Sequence, residues 1–439
     1  PLFFAVIVLW SGWTVRRAGV WAGVLLACAL VGHQRFQEAF APTYVDHHGL
    51  VSAAILGLVL GAAFMGFGWW RPAPVAGSLL LPDAPARARR AALVSALSGA
   101  VAMWLSAAST LPAIALLGCG GLAVAGWHGR TAQAGGARFD PGVWRLWGRT
   151  GAIASGVCYL IEYAPDHLGW RLEVNHPLYS LAWWGGAELV AMLAEAGAAG
   201  APGAGRPRLD LWRLIPALGA IAVPPVAILI GGPATFLPGD PFVSELRHFV
   251  AESRSLPAMV REFGVSAVGY DLIGTLVVIP AALVLWRRRD DTRLVLGALT
   301  FTTVAFLLLA FFVMRWWVVA STLQITLLIW LVAAGSGSPR WRCTVSLVAA
   351  GVLFVFPALL RIGREHRANQ QRSADAGDLF QPLYRDLAAT LRATQPEGDI
   401  ILLTSPNASA GISYYGRFRS LGTLFWENAP GLRGAAEIL

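Results

Sequence analysis

The sequence predicts an all-α polytopic membrane protein, followed near its C-terminal end by the start of a soluble α/β outer domain. Of the 439 residues, 56% are hydrophobic and 13% are charged, whereas a soluble domain carries about 25% charged residues. Apolar runs of about 16–22 residues recur along the chain, near the length that crosses a hydrocarbon layer about 30 Å thick. The composition becomes more polar after residue 361.

Hydropathy predicts about twelve membrane-spanning helices in the visible chain. Their approximate bounds are 1–13, 18–33, 49–70, 92–108, 111–127, 148–163, 177–196, 212–231, 266–286, 294–313, 316–334 and 343–361. Because the chain begins at Pro1 inside an apolar run, we expect an earlier span, and so about thirteen in the full chain.

The loops between these spans alternate between arginine-rich and arginine-poor. All 34 basic residues are arginines, and basic loops tend to be cytoplasmic. The arginine-rich set holds Arg16, Arg17, Arg71, Arg87, Arg89, Arg90, Arg130 to Arg149, Arg206, Arg208, Arg213, Arg287 to Arg289, Arg340 and Arg342. The loop at Asp46, the loops 164–176 and 232–265, and the tail after 361 then face outward.

This topology also bears on localisation and partners. It accounts for the net charge of +9 without a nucleic-acid partner, because the basic residues lie in short loops. We expect an integral protein of a bacterial inner membrane, surrounded by membrane lipid, with any active site facing the periplasm or exterior.

The outer loop Pro42 to Gly49 holds an acid and two histidines, Asp46-His47-His48. On an extended loop, residues two apart point the same way, so Asp46 and His48 are candidates to bind one divalent ion. Their mixed oxygen and nitrogen donors suit Mn²⁺ or Mg²⁺ when further oxygens come from elsewhere. The alternative is a polar cap on the following helix.

The longest outer loop, 232–265, carries Glu245 and Glu252 seven residues apart, on one face of a helix if the loop is helical. A long loop of this kind is often a lid over a site, although a solvated amphipathic helix explains the same pattern. A much shorter outer turn holds Arg315. This arginine either extends to lipid headgroups or binds an anionic group.

A further outer loop, from Tyr163 to Pro177, is unusually polar. It contains Asp166, His167, Arg171, Glu173, Asn175 and His176. These side chains are candidates to line an acceptor or sugar-diphosphate site, although interfacial polarity explains them equally well. Glu188 and Asp271 lie in or beside spans, where a charge is costly, and we expect both to face the bundle interior.

Beyond residue 361 the pattern is that of a soluble domain. Residues 381–394 have the periodicity of an amphipathic helix, and Asp399 to Thr404 reads as a buried strand. Tyr414-Tyr415-Gly416 indicates a turn. We therefore expect 362–439 to be the start of an extracytoplasmic C-terminal domain.

Together these loops resemble the catalytic subunits of oligosaccharyltransferases, GT-C-type membrane glycosyltransferases that use lipid-linked donors. Asp46-His47-His48 matches the family's second acidic motif, of the DxD or DxH type. Phe249-Val250-Ala251-Glu252 matches its TIxE- or SVAE-like motif, with Phe249 in place of the motif's Thr or Ser. Arg315 occupies the turn where the family has an acceptor-binding arginine. The segment Leu424 to Asn428 is only a loose counterpart of the family's WWDYG motif, which recognises the acceptor sequon.

The resemblance implies a role for each part of the chain. Residues 1–361 would form the transmembrane catalytic domain, with Asp46 and Glu252 catalytic and Asp46, His48 and Glu252 binding Mn²⁺ or Mg²⁺. A further catalytic Asp would lie in a segment before Pro1. The substrate-binding residues would be Arg315, His47, Asp166, His167, Arg171, His176, Trp426 and Glu427.

The function so implied is transfer of a sugar or oligosaccharide from a polyprenyl (di)phosphate carrier to a protein, lipid or glycan acceptor. A transporter or flippase for an amphipathic substrate is the alternative, although such proteins more often place ionisable residues at mid-membrane. A non-catalytic assembly protein is a third possibility. An acidic residue just after a preceding span would favour the enzyme.

Overall fold

The computed structural model describes residues 1–40, 47–72, 80–134, 136–165, 168–198, 210–236, 253–265, 269–287, 290–335, 338–371, 376–396, 399–421 and 429–438. These residues are predominantly helical, as the sequence predicts. The helices are α1 (Leu2–Ala18), α2 (Val20–Gly32), α3 (Gln34–Glu38), α4 (His48–Phe64), α5 (Pro85–Leu105), α6 (Ala107–Ala134), α7 (Pro141–Tyr163), α8 (Pro177–Ala198), α9 (Leu211–Gly231), α10 (Leu256–Phe263), α11 (Gly269–Thr275), α12 (Val278–Arg287), α13 (Thr292–Phe312), α14 (Trp317–Gly335), α15 (Pro339–Ala350), α16 (Phe356–Gln371), α17 (Ala376–Thr394), α18 (Pro406–Gly416) and α19 (Ala429–Ile438).

Six helical segments of the described chain are long and apolar enough to cross a membrane. They are His48–Gly68, Ala107–Gly129, Leu211–Ala234, Arg293–Phe312, Met314–Gly335 and Arg340–Gly363. Helices also form at the predicted spans 1–13, 18–33, 92–108, 148–163 and 177–196, without meeting the same length and hydropathy. The structure therefore supports a membrane protein, and the count of twelve spans stays a prediction.

The predicted span 266–286 is interrupted. Its described part forms two short helices, α11 and α12, separated by a turn at Leu276 and Val277. The N–H of Val277 donates to the carbonyl oxygen of Gly274 at 3.3 Å. The prediction of one continuous helix is wrong here, because a glycine and a threonine precede the turn and both favour interruption of a helix over its continuation.

Small residues allow the central helices to pack closely, as in other membrane bundles. A Cβ added to Gly61 of α4 would lie 2.6 Å from the Cα of Ser95 in α5. The Ser95 hydroxyl donates to the carbonyl oxygen of Leu58 at 2.7 Å and accepts from the indole N–H of Trp147 at 2.9 Å. One buried serine thus links α4, α5 and α7.

The arginine-rich loops contact one another, as expected if they share one side. Arg71 pairs with Asp291, and Arg89 pairs with Asp140 at 3.2 Å. A short antiparallel ribbon, β1 (Trp69–Trp70) and β2 (Arg138–Phe139), joins two of the same loops. These contacts place three of the arginine-rich loops at one end of the helices, and the assignment of that end to the cytoplasm stays a prediction.

The chain divides into two compact units. Within the described residues, one unit comprises 1–230 and 253–359, and the other comprises 231–236 and 360–438. In the second unit, β3 (Ile401–Leu402) and β4 (Arg419–Ser420) are parallel and α18 connects them. The predicted strand after Asp399 is thus present but only two residues long, and its predicted burial is wrong for Ile401, which is 65% exposed.

One prediction for this second unit is wrong. Tyr414, Tyr415 and Gly416 form the end of helix α18 instead of a turn, and the left-handed residue Arg417 follows them. Ile412 of the same helix packs in a small core with Ala388, Leu402 and Phe418, which explains why the helix continues this far. The assignment of 362–439 to an outer α/β domain stays a prediction.

Candidate active site

Contacts along the helices identify one end of the first unit as the location of the candidate site. The rings of Phe64 and Trp330, near the far ends of α4 and α14, lie 4.8 Å apart, so both helices begin at the same end. Helix α5 runs antiparallel to α4 and ends there too. Since the Trp104 indole near that end bonds to Glu162 of α7, the loop after α7 also lies there. We call this the Arg315 end.

His47 and His48 lie at the Arg315 end, where α4 begins. The carbonyl oxygen of His47 accepts from the N–H of Val51 at 3.0 Å, and the two imidazole rings stack with centres 4.7 Å apart. His47 is exposed, whereas Nε2 of His48 is shielded from solvent. The expected extended backbone is wrong for these two residues, because helical hydrogen bonding starts at His47.

Several predicted site residues lie outside the described residues. They are Asp46, Asp166, His167, Glu252, Trp426 and Glu427. Among the residues that are described, no group of three or more His, Cys, Asp or Glu side chains is placed to hold a metal ion. His48 is thus the described member of the predicted metal set, and that set stays a prediction.

Arg315 lies in a single turn of 3₁₀ helix, Met314–Trp316, between α13 and α14. Its Nε atom is shielded from solvent and has no hydrogen-bond acceptor among the described residues. A buried guanidinium nitrogen without an acceptor is costly. The turn therefore presents a cationic donor suited to an anionic or carbonyl oxygen supplied from outside the described chain.

Residues 253–263, the described end of the longest predicted outer loop, pack directly on this turn. The N–H of Met314 donates to the carbonyl oxygen of Arg254 at 2.9 Å. Helix α10 begins at a cap in which the hydroxyl of Ser255 accepts from the N–H of Ala258 at 3.3 Å. Its apolar residues Leu256, Met259 and Val260 pack on a cluster of Ala310, Met314 and Trp317. The described end of the predicted lid is therefore fixed beside Arg315.

Helix α3, which precedes the Asp46 loop, also lies at this end. It contacts α11 and α14, and α14 follows the Arg315 turn directly. Three predicted outer loops are thus anchored around one point: the Asp46 loop through α3 and α4, the long loop through α10, and the Arg315 turn. The sequence predicts these loops on one side of the membrane, and the contacts bring their described ends together.

His176 makes two hydrogen bonds within the described part of the loop after α7 and at the start of α8. Nδ1 of His176 accepts from the N–H of Leu178 at 3.2 Å, and Nε2 lies 3.1 Å from the carbonyl oxygen of Gly169. Both contacts are satisfied by the neutral ring with its proton on Nε2. Burial lowers the pKa of His176, and the bond to Gly169 acts in the opposite direction.

The neighbours of His176 hold the same loop. The Asn175 side chain is buried and exchanges two hydrogen bonds with Ser155 of α7, at 2.9 and 3.0 Å. Arg171 pairs with Glu173 at 2.9 Å. The geometry therefore supports a structural role for His176 and leaves its predicted substrate role, like that of Arg171, untested.

One buried polar residue was not singled out from the sequence. Gln324, in the middle of α14, is 3% exposed, and neither its Oε1 nor its Nε2 has a partner among the described residues. It faces Gly274, next to the interruption between α11 and α12; a Cβ added to Gly274 would lie 2.5 Å from Oε1. The available signal was an amide within an apolar span, which is costly there.

Comparisons with known proteins identify the fold. No family model matches the chain, and no curated protein matches it. The structure is similar to the Archaeoglobus fulgidus oligosaccharyltransferase tethered to an acceptor peptide with the NVT sequon, with a TM-score of 0.58, 14% identity, and coverage of 100% of this chain and 55% of that one.

Two further structures of the same enzyme match similarly. The apo form has a TM-score of 0.57, 14% identity, and coverage of 100% and 56%. The complex with Zn and sulfate has a TM-score of 0.55, 14% identity, and coverage of 97% and 49%. The chain thus spans about half the length of these structures. It has the oligosaccharyltransferase fold, and the resemblance read from the sequence is confirmed at that level.

Proposed function

We propose that this chain is the membrane part of an oligosaccharyltransferase-like enzyme, which transfers a sugar or oligosaccharide from a polyprenyl (di)phosphate carrier to an acceptor. The observation that carries the proposal is the packing of the loop segment after Glu252 on the Arg315 turn, held by the bond from Met314 to Arg254 at 2.9 Å. In a fold like that of oligosaccharyltransferase, this arrangement assembles outer loops around one site.

Arg315 is the proposed substrate-binding cation. Its Nε is shielded and lacks an acceptor in the described chain, so a substrate carboxylate, phosphate or carbonyl oxygen would complete its hydrogen bonding. The similar structure with a tethered acceptor peptide supports a protein acceptor. A lipid or glycan acceptor remains compatible with the same cation.

Asp46, His48 and Glu252 are the proposed ligands of Mn²⁺ or Mg²⁺. His48 is the member of this set that the structure describes. Its Nε2 is shielded from solvent, and a neutral imidazole nitrogen is a common ligand of divalent metals. When bound there, the ion would neutralise charge on the diphosphate leaving group. The Zn complex of the similar enzyme supports a divalent metal without identifying it.

Side chains of this chain would position the acceptor, and its long loop would exclude water. Asp46 and Glu252 would orient and polarise the acceptor nucleophile. The long loop would close over the bound substrates and exclude water. We further propose that the site faces the periplasm or exterior of a bacterial inner membrane, because the arginine-rich loops are at the opposite end.

The test is a transfer assay in membranes containing the full-length protein and a polyprenyl-linked donor, with a peptide acceptor. Asp46→Ala and His48→Ala should each reduce transfer by roughly a hundredfold or more, the low end of the effects expected for lost catalytic groups, and EDTA should do the same until Mn²⁺ is restored. His128→Ala, a histidine of α6 at the opposite end, is the matched control. Full transfer in both variants would refute the metal site, and no transfer by the unmodified protein to any acceptor would refute the function.

A further inference from the structure

The end of the bundle opposite Arg315 contains a cluster of arginines where α1 ends and α5 begins. Arg17, in the last turn of α1, donates from Nη1 to the carbonyl oxygen of Arg87 at 3.4 Å. Its guanidinium carbon lies 5.6 Å from the centre of the Trp13 ring. The side chain is therefore half-buried and held in place, unlike a freely solvated arginine.

The charges around Arg17 are not balanced. Arg87 pairs with Asp83 at 2.8 Å, and Arg89 pairs with Asp140 at 3.2 Å. Within the described chain, Arg17 and Arg90 have no carboxylate within ion-pairing distance. Burial lowers the pKa of Arg17, and the positive charges of Arg87 and Arg90 lower it further. The carboxylate of Asp83 acts in the opposite direction. An added anion would relieve this repulsion.

An apolar surface begins directly beside the cluster. Leu93, Leu97, Val101 and Trp104 follow Arg90 along one face of α5, and their exposed fractions are 37%, 51%, 43% and 38%. The face from Arg90 to Trp104 is about 21 Å long at 1.5 Å per residue. A cationic head next to an apolar strip of this length has the shape and polarity of a phospholipid.

We propose that Arg17, Arg87 and Arg90 bind the phosphate of an anionic phospholipid, whose acyl chains lie along the Leu93–Trp104 face of α5. One guanidinium group can donate two parallel hydrogen bonds to two oxygens of a phosphate. Basic pockets between membrane helices bind anionic headgroups. The apolar strip distinguishes this ligand from free phosphate, which would gain nothing from it. The site is remote from the Arg315 end and does not depend on glycosyl transfer.

The experiment measures thermal unfolding of the protein in nanodiscs of phosphatidylcholine, with and without 30% phosphatidylglycerol. We expect phosphatidylglycerol to raise the unfolding temperature, and this increase to shrink as NaCl screens the charges. Native mass spectrometry of the same samples gives the preference for phosphatidylglycerol, which should fall about fivefold for each arginine removed. Inorganic phosphate added to pure phosphatidylcholine nanodiscs should give no increase.

The test variant is Arg17→Gln/Arg90→Gln, and the matched control is Arg138→Gln/Arg149→Gln, which removes the same charge from exposed arginines. The readout is the difference between the two lipid compositions, so a change in intrinsic stability cancels. Arg17→Lys/Arg90→Lys should retain part of the preference. An equal loss in the control pair, or a preference unchanged in the test pair, would overturn the proposal.

Discussion

The backbone N–H of Met314 donates to the carbonyl oxygen of Arg254 at 2.9 Å, across 60 residues of sequence. This bond joins the end of the longest predicted outer loop to the turn that carries Arg315. It also brings the candidate lid and the candidate substrate cation into one structural unit. The first prediction follows from this relationship.

Arg315→Gln should reduce kcat/KM for glycosyl transfer by roughly 10–100-fold, since a hydrogen bond to a charged group contributes about 1.5–3 kcal/mol. The loss should appear mainly in KM if Arg315 binds substrate without joining the chemistry. The control is Arg261→Gln in α10, whose exposed side chain bonds only to the carbonyl oxygen of Pro257 among the described residues. Equal kinetics in the two variants would remove Arg315 from the site.

Glu188 lies within α8, and its two carboxylate oxygens are 3.0 and 3.1 Å from Nε of Arg145. Glu188→Leu should lower the free energy of unfolding by about 1–3 kcal/mol, because the largely shielded Arg145 then keeps only the longer contact to Glu195 at 3.7 Å. Arg145→Met added to Glu188→Leu should recover most of that loss. Unfolding in detergent measures the stability of the single and the double variant. The control is Asp386→Asn at an exposed ion pair, which should change the free energy of unfolding by about 0.5 kcal/mol or less. No recovery in the double variant would contradict this explanation.

His176 predicts a pH dependence of stability. Burial lowers its pKa in the folded state, whereas the unfolded value is about 6.5, so the unfolded chain binds the proton more tightly. The stabilising contribution of the neutral His176 ring is therefore fully present above about pH 6.5. It decreases as the pH falls toward the lowered pKa of the folded state. Thermal unfolding from pH 8 to 5 should show a shallower decline for His176→Gln than for the unmodified protein. Parallel profiles would count against the proposed hydrogen bonding of the ring.

Gln324 predicts a gain in stability on substitution. Its buried amide lacks partners in the described chain, so Gln324→Met should raise the free energy of unfolding by about 1–3 kcal/mol. Thr326→Val is the control, since the buried Thr326 hydroxyl donates to the carbonyl oxygen of Thr322 at 2.8 Å. Thr326→Val should leave the free energy of unfolding unchanged or lower it. A destabilised Gln324→Met protein would show that the amide has an important partner.

The accuracy of the sequence prediction varies between features for physical reasons. The helical class, the alternation of charged loops and the inward position of Glu188 follow from hydropathy and charge, which are properties of single residues and their near neighbours. The interruption at Leu276 was missed because Gly274 and Thr275, which weaken a helix, are tolerated within apolar spans, so hydropathy alone does not indicate the break. The helix continuing through Tyr414 was missed because packing of Ile412 outweighs local turn preference.

By itself, the sequence determined that this chain is a helical membrane protein with polar loops between its apolar segments, because burying apolar segments in lipid depends on local composition and length. Only the tertiary structure decided that α3, α10 and the Arg315 turn meet at one end, that Glu188 pairs with Arg145, and that both ring nitrogens of His176 are used locally. These relationships join residues far apart in the chain, and their energies depend on distances that no local pattern contains.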